Sequence, residues 1–132
     1  MASGERVYEG TRMRKLGIRP GMTAYVHHVP EAGFAAELAE HGVDVVTAVR
    51  GPVDVVFLGV ATEADLALIR KFKSAITKQG TLWLIRPKGA GTPVSERAAM
   101  AAGLDAGLVD VKVVSFSDTH SALKYVYRLR DR

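Results

Sequence analysis

The sequence predicts a three-layer α/β domain with a mostly parallel sheet and a C-terminal antiparallel hairpin. Three observations carry that prediction. The runs Val53-Asp54-Val55-Val56-Phe57-Leu58-Gly59-Val60 and Thr81-Leu82-Trp83-Leu84-Ile85 are almost wholly apolar, as strands covered on both faces must be. Segments with apolar residues at helical spacing lie between them. The last stretch, from Leu108 on, alternates apolar and polar residues around a turn.

The elements follow in order. Pro20-Gly21 is an entry turn, and Met22 to His28 reads as strand one. A first helix is expected over 32–41, with Phe34, Leu38 and His41 on one face and Gly42 closing it in a left-handed conformation. The β-branched run Val43 to Val49 is strand two, broken by Gly51-Pro52, and Val53 to Val60 is strand three. Thr62 caps a second helix, with Asp65 three residues on as in a capping box. Its inner stripe is Leu68, Ile69, Phe72, Ala75 and Ile76, and Gly80 ends it. Thr81 to Ile85 is strand four. Thr92-Pro93 fits the cap and first position of a third helix, which runs to about Ala102 before Gly103. Leu108 to Phe116 is strand five. After the Ser117-Asp118-Thr119-His120 turn, Leu123, Tyr125, Tyr127 and Leu129 fall on one side, with Lys124, Arg128 and Arg130 on the other. That pattern suits an edge strand whose charges discourage aggregation. A short helix over 121–130 is the alternative.

Composition bounds the function. A chain of 132 residues suits one domain, 1–132, with a short N-terminal arm of about 20 residues holding Arg6, Arg12, Arg14, Lys15 and Arg19. No apolar run reaches the roughly 20 residues that span a bilayer, and no secretory leader is visible, so a cytoplasmic location is expected. The absence of Cys removes disulfide and thiolate chemistry. The net charge of +4 permits an acidic partner without demanding one. Nucleic acid is accordingly a secondary candidate partner, through the basic arm and the Tyr125–Arg130 tail. An unidentified small molecule or protein is the first, and pairing of two copies through an apolar strand edge is a further alternative.

In open α/β sheets, ligands lie outside the carboxyl ends of the strands. Those ends collect His28, Glu31, Arg50, Thr62, Arg86 and Lys88, a rim suited to an anionic or nucleoside-like ligand. At the first turn, phosphate binding needs close backbone approach and free N–H groups at a helix start. Pro30 removes an N–H and Glu31 brings negative charge. A dinucleotide is therefore strongly disfavoured; S-adenosylmethionine, which has no phosphate, is disfavoured less. His27 and His28 are sequence neighbours on a strand and are expected to point to opposite faces. No ligand spacing supports a metal site built from His28, His41 and His120. Ser117, Asp118, Thr119 and His120 read as turn chemistry rather than as a catalytic set. Trp83 reads as core.

Two resemblances rest on these residues. Ile18-Arg19-Pro20-Gly21-Met22, Val53-Asp54-Val55-Val56-Phe57 and Gly80-Thr81-Leu82-Trp83-Leu84-Ile85 resemble the first, fourth and fifth strand regions of S-adenosylmethionine-dependent methyltransferases. That resemblance implies a Rossmann-like, methyltransferase-like fold, a glycine-rich first turn and an acidic ribose ligand at the end of strand two. Here the turn is His28-Val29-Pro30-Glu31, strand two ends in Thr47-Ala48-Val49-Arg50, and Asp44 lies at its start. Separately, Leu82–Lys88, Gly107–Val113 and Ser121–Val126 resemble a family of small bacterial proteins of unknown function, common in actinobacteria. Together these give the expectation of a Rossmann-like binding or interaction module without catalytic residues and without a bound cofactor. A minimal methyltransferase, with His28 as base and Pro87-Lys88 beside the substrate, is the alternative.

Overall fold

The structure, a computed structural model, describes residues 12–132. Of the arm's basic residues, Arg6 lies outside the described residues, whereas Arg12, Arg14, Lys15 and Arg19 lie within them. Six strands form one sheet: β1 (Thr23–His27), β2 (Asp44–Val46), β3 (Val53–Gly59), β4 (Ile76–Pro87), β5 (Leu108–Ser115) and β6 (His120–Tyr127). Their order is β2-β1-β3-β4-β6-β5. The first four are parallel, whereas β6 runs antiparallel to both β4 and β5. Besides a helical turn over 12–15 and a 3₁₀ turn at Leu129–Asp131, the helices are α1 (Phe34–Glu40), α2 (Leu68–Lys73), preceded by a 3₁₀ turn at Glu63–Ala67, and α3 (Glu96–Asp105). The expected α/β class and the mostly parallel sheet with its antiparallel close are therefore both present.

Each face of the sheet carries a core. On one, Phe34 and Leu38 of α1 pack on Ala24, Val55, Phe57, Trp83 and Ile85, with Met13, Leu16 and Ile18 of the preceding segment. The Trp83 indole N–H, fully buried, donates to the Leu16 carbonyl at 3.1 Å and fixes that segment to the sheet. On the other face, Leu66, Ile69 and Phe72 meet Val56, Leu58, Leu82, Leu84, Leu123 and Tyr125, with Val94 and Ala99 from the α3 region. Alternate residues of β3 and β4 serve both cores, which is why their sequences are apolar throughout.

Four expectations about elements are corrected. Strand two stops at Val46 because residues 47–52 turn directly across β1 to reach β3, with no helix in the crossover. The second helix ends at Lys73, not Gly80, and Ile76 fills the core from a strand. Gly80 serves close approach instead: a Cβ there would lie 2.8 Å from the Asp54 carbonyl, beside the bulge where β3 and β4 shift register. The third helix is capped by Ser95, whose Oγ accepts from the Ala98 N–H at 3.0 Å, and it runs through Gly103. Gly103 is tolerated because a side chain there would collide with the Tyr125 ring. Finally, β6 is an interior strand and β5 is the edge. Lys124 marks a less-covered face of β6, 6.0 Å over the Trp83 ring, whereas Arg128 and Arg130 lie beyond the strand's end.

Candidate binding site at the strand ends

The carboxyl ends of β1, β3 and β4 meet the start of β6 around a small crevice. Its shape begins with His28, which takes φ of 56°, a left-handed turn uncommon for a residue with a side chain. Gly59 permits it, since a Cβ at Gly59 would collide with the His28 carbonyl. The turn also swings the His28 ring back. His27 and His28 stack at 4.0 Å with their planes 12° apart, so the expectation of opposite faces is corrected. Alternation of faces holds only while the backbone stays extended. The His27 ring also lies 4.9 Å from the Phe72 ring, and its pKa falls below the usual value through burial first, then the charges of His28 and Lys71, against an opposing pull from Asp65.

Beyond His28 the chain is held by Glu31. Its carboxylate accepts from Arg12 at 3.0 and 2.5 Å, and Glu37 takes a second ion pair with the same guanidinium. Arg12 also donates to the Phe116 carbonyl at 2.9 Å and lies over the Phe34 and Phe116 rings. Its hydrogen bond to Glu31 keeps that carboxyl below its ordinary pKa, against the effect of burial.

On the β3 side, the Asp65 carboxylate accepts from the Ala61 and Thr62 N–H groups at 2.8 and 3.1 Å. Those two bonds hold its pKa below the ordinary value, so it is an anion at neutral pH. On the β4–β6 side, Pro87 stands opposite His120 in the antiparallel ladder. His120 Nδ1 lies 2.8 Å from Thr119 Oγ1, and burial followed by Lys88 lowers its pKa. Ser117 Oγ accepts from the Thr119 and His120 N–H groups, the turn role expected of it.

These walls enclose about 120 Å³, lined by His28, Pro30, Gly59, Asp65, Pro87 and His120 among others. Of the residues expected at the site, only His28 lines this crevice. Glu31 is paired with Arg12, and Thr62 caps the 3₁₀ turn behind it. Arg86 is 8% exposed and structural: it bonds the Val94 and Pro87 carbonyls and Glu96. Lys88 donates to Ser115 Oγ at 2.9 Å. Arg50 lines a separate, open groove of about 490 Å³ under the 47–52 crossover, with Thr23, Val46 and Pro52. Asp65 and His120 entered the crevice without having been singled out for it, whereas Pro87 was expected beside the substrate in the methyltransferase alternative. The sequence signal for Asp65 was its cap position alone. Among the described residues, no cluster of three metal-ligating side chains occurs, and no helix is long and apolar enough to cross a membrane.

No protein-family model matches the chain. No curated protein matches it either. Solved structures do. A methyltransferase dependent on S-adenosylmethionine from Aquifex aeolicus matches with a TM-score of 0.69 at 14% identity, covering 89% of this chain and 88% of its own. A TehB-like S-adenosylmethionine-dependent methyltransferase from Corynebacterium glutamicum gives 0.69 at 10% identity, over 91% and 88%. The 1,6-didemethyltoxoflavin-N1-methyltransferase of Burkholderia thailandensis, solved with S-adenosylhomocysteine bound, gives 0.64 at 10% identity, over 91% and 76%. The chain thus has the Rossmann-like fold of the S-adenosylmethionine-dependent methyltransferases.

Two functional expectations are corrected by these matches. The reading as a non-catalytic module is overturned, because the matched structures are methyltransferases; they share the fold with this chain, and the methyltransferase alternative is carried forward as a proposal. The expectation of no cofactor gives way too, since a matched structure holds S-adenosylhomocysteine at this fold. Both expectations had leaned on the missing glycine turn. Gly59, on the neighbouring strand, makes room for the backbone of that turn.

The residues present fit part of such a cofactor. Pro30 and Glu31 oppose phosphate, whereas the Asp65 carboxylate suits a sulfonium cation. Whole small-molecule ligands take roughly 300–1,000 Å³. The enclosed 120 Å³ therefore receives one end of one.

Proposed function

We propose that the chain is a small S-adenosylmethionine-dependent methyltransferase whose donor binds at the carboxyl ends of β1 and β3. The observation that carries this reading is the crevice itself. In a methyltransferase-like fold, it sets an anionic Asp65 carboxylate beside the sharp His28 turn and a glycine at the end of β3. S-adenosylmethionine, when bound, supplies an activated methyl group on a cationic sulfur. Asp65 balances that charge, and the Pro30, Val60 and Pro87 surfaces exclude water from it. His120 is below its ordinary pKa and therefore largely uncharged at neutral pH. In the tautomer whose Nδ1–H donates to Thr119 Oγ1, its Nε2 is the nitrogen that takes a proton from an acceptor N–H or O–H.

Heteronuclear NMR with S-adenosylhomocysteine tests the location. Amide shifts centred on His28, Gly59, Ala61 and Asp65 support the proposal. Shifts confined to Thr47–Pro52, or none at millimolar ligand, refute it.

A further inference from the structure

The crevice has two walls that come from distant parts of the chain. One is the turn after β1, carrying His28 and Pro30. The other is the β5–β6 turn, carrying His120. They share no strand pairing: β1 lies beside β2 and β3, and β6 lies between β4 and β5. Arg12 bridges them. Its guanidinium holds Glu31 on the first wall at 2.5 Å and the Phe116 carbonyl on the second at 2.9 Å. Glu37 of α1 holds the same group from behind, and the Phe34 and Phe116 rings flank it at 5.3 and 4.8 Å. The Arg12 side chain is only 20% exposed, so solvent screens these contacts weakly. A planar fork with five donors can grip two carboxylates by both oxygens and a carbonyl at once, whereas an ammonium group has only three donors.

We propose that Arg12 is a positioning residue that clasps the two walls, sets the width of the crevice, and must release one wall before more than one end of a nucleoside-sized ligand is seated. The inference rests on the methyltransferase reading for the identity of that ligand, and on the geometry alone for the clasp. A crevice of about 120 Å³ takes only one end of a ligand several times larger, so seating more of that ligand requires one wall to move. The clasp makes the open form a minor state, so apparent affinity and entry rate scale with its population.

Hydrogen exchange and stopped-flow binding on the full chain test this, using Arg12→Lys, Arg12→Ala and Glu37→Gln. Arg12→Lys keeps charge and bulk, so it remains informative if Arg12→Ala does not fold. Exchange is expected to rise together in residues 28–33 and 117–120, while Val55–Leu58 and Leu82–Ile85 keep wild-type protection. A rise in only one wall, or throughout the chain, overturns the clasp. Association of S-adenosylhomocysteine is expected to be roughly tenfold faster in Arg12→Lys than in wild type. Simple loss of stability does not speed association, so an equal or slower rate also overturns it. Coupled exchange with no binding in any variant supports the clasp and instead removes the methyltransferase reading.

Discussion

At His28 the backbone holds a left-handed conformation that costs an L-residue of order 1 kcal/mol, and the bare Cα of Gly59 makes room for it. Substituting Gly59→Ala drives a methyl group into backbone rather than into a movable side chain. The expected loss is about 3 kcal/mol, read as a fall of roughly 10 °C in thermal midpoint. A change within 0.5 kcal/mol would mean the turn does not rest on Gly59. The histidines set a pH dependence. His27 and His120 both sit below their ordinary value of 6.5 in the fold, so the unfolded chain binds protons more readily. Stability should therefore be full above about pH 6.5 and decline as pH falls below it. The lowered carboxyl of Glu31 adds a second loss only when pH drops through the range below 4.5. Urea titrations at pH 7.5, 6 and 5 measure the first step, which a His27→Gln/His120→Gln double variant should flatten.

The elements show what a sequence declares and what it withholds. The strands β3 and β4 were legible because burial on both faces forces an unbroken apolar run, and α1 because Phe34 and Leu38 repeat at helical spacing. Glycine was the ambiguous letter. Gly80 and Gly103 looked like helix ends, but both mark places where another chain segment comes too close for a Cβ, and that is a tertiary fact. The position of β6 was hidden for a similar reason: alternation reveals which face a residue takes, not which strands lie alongside. The site was legible in the same partial way. His28 could be picked from the turn after β1, whereas Asp65 and His120 join it only once strand order brings β3 and β6 to the same place. At this scale the Ser95 cap gives a direct check. Ser95→Ala removes the Oγ acceptor of the Ala98 N–H, at an expected cost of about 1 kcal/mol in urea unfolding. Thr92→Ala tests the other candidate cap. Its hydroxyl bonds the Pro87 carbonyl within the loop, so its loss should leave α3 amide protection unchanged.

For the whole molecule, the order β2-β1-β3-β4-β6-β5 brings four strand ends to one crevice and leaves a second, shallower groove where a six-residue crossover stands in place of a helix. The two openings separate the rival locations for a ligand. Binding to the native state alone stabilises it by about 2.7 kcal/mol at a ligand concentration 100 times Kd. S-adenosylhomocysteine should thus raise the thermal midpoint in proportion to its occupancy. The central claim, that the crevice at Asp65 receives a sulfonium donor, is tested most directly by isothermal calorimetry with S-adenosylmethionine. Wild type should bind in the micromolar range, Asp65→Asn about fivefold more weakly, and Arg50→Ala as wild type. No heat of binding, or a loss of affinity in Arg50→Ala but not in Asp65→Asn, would contradict it.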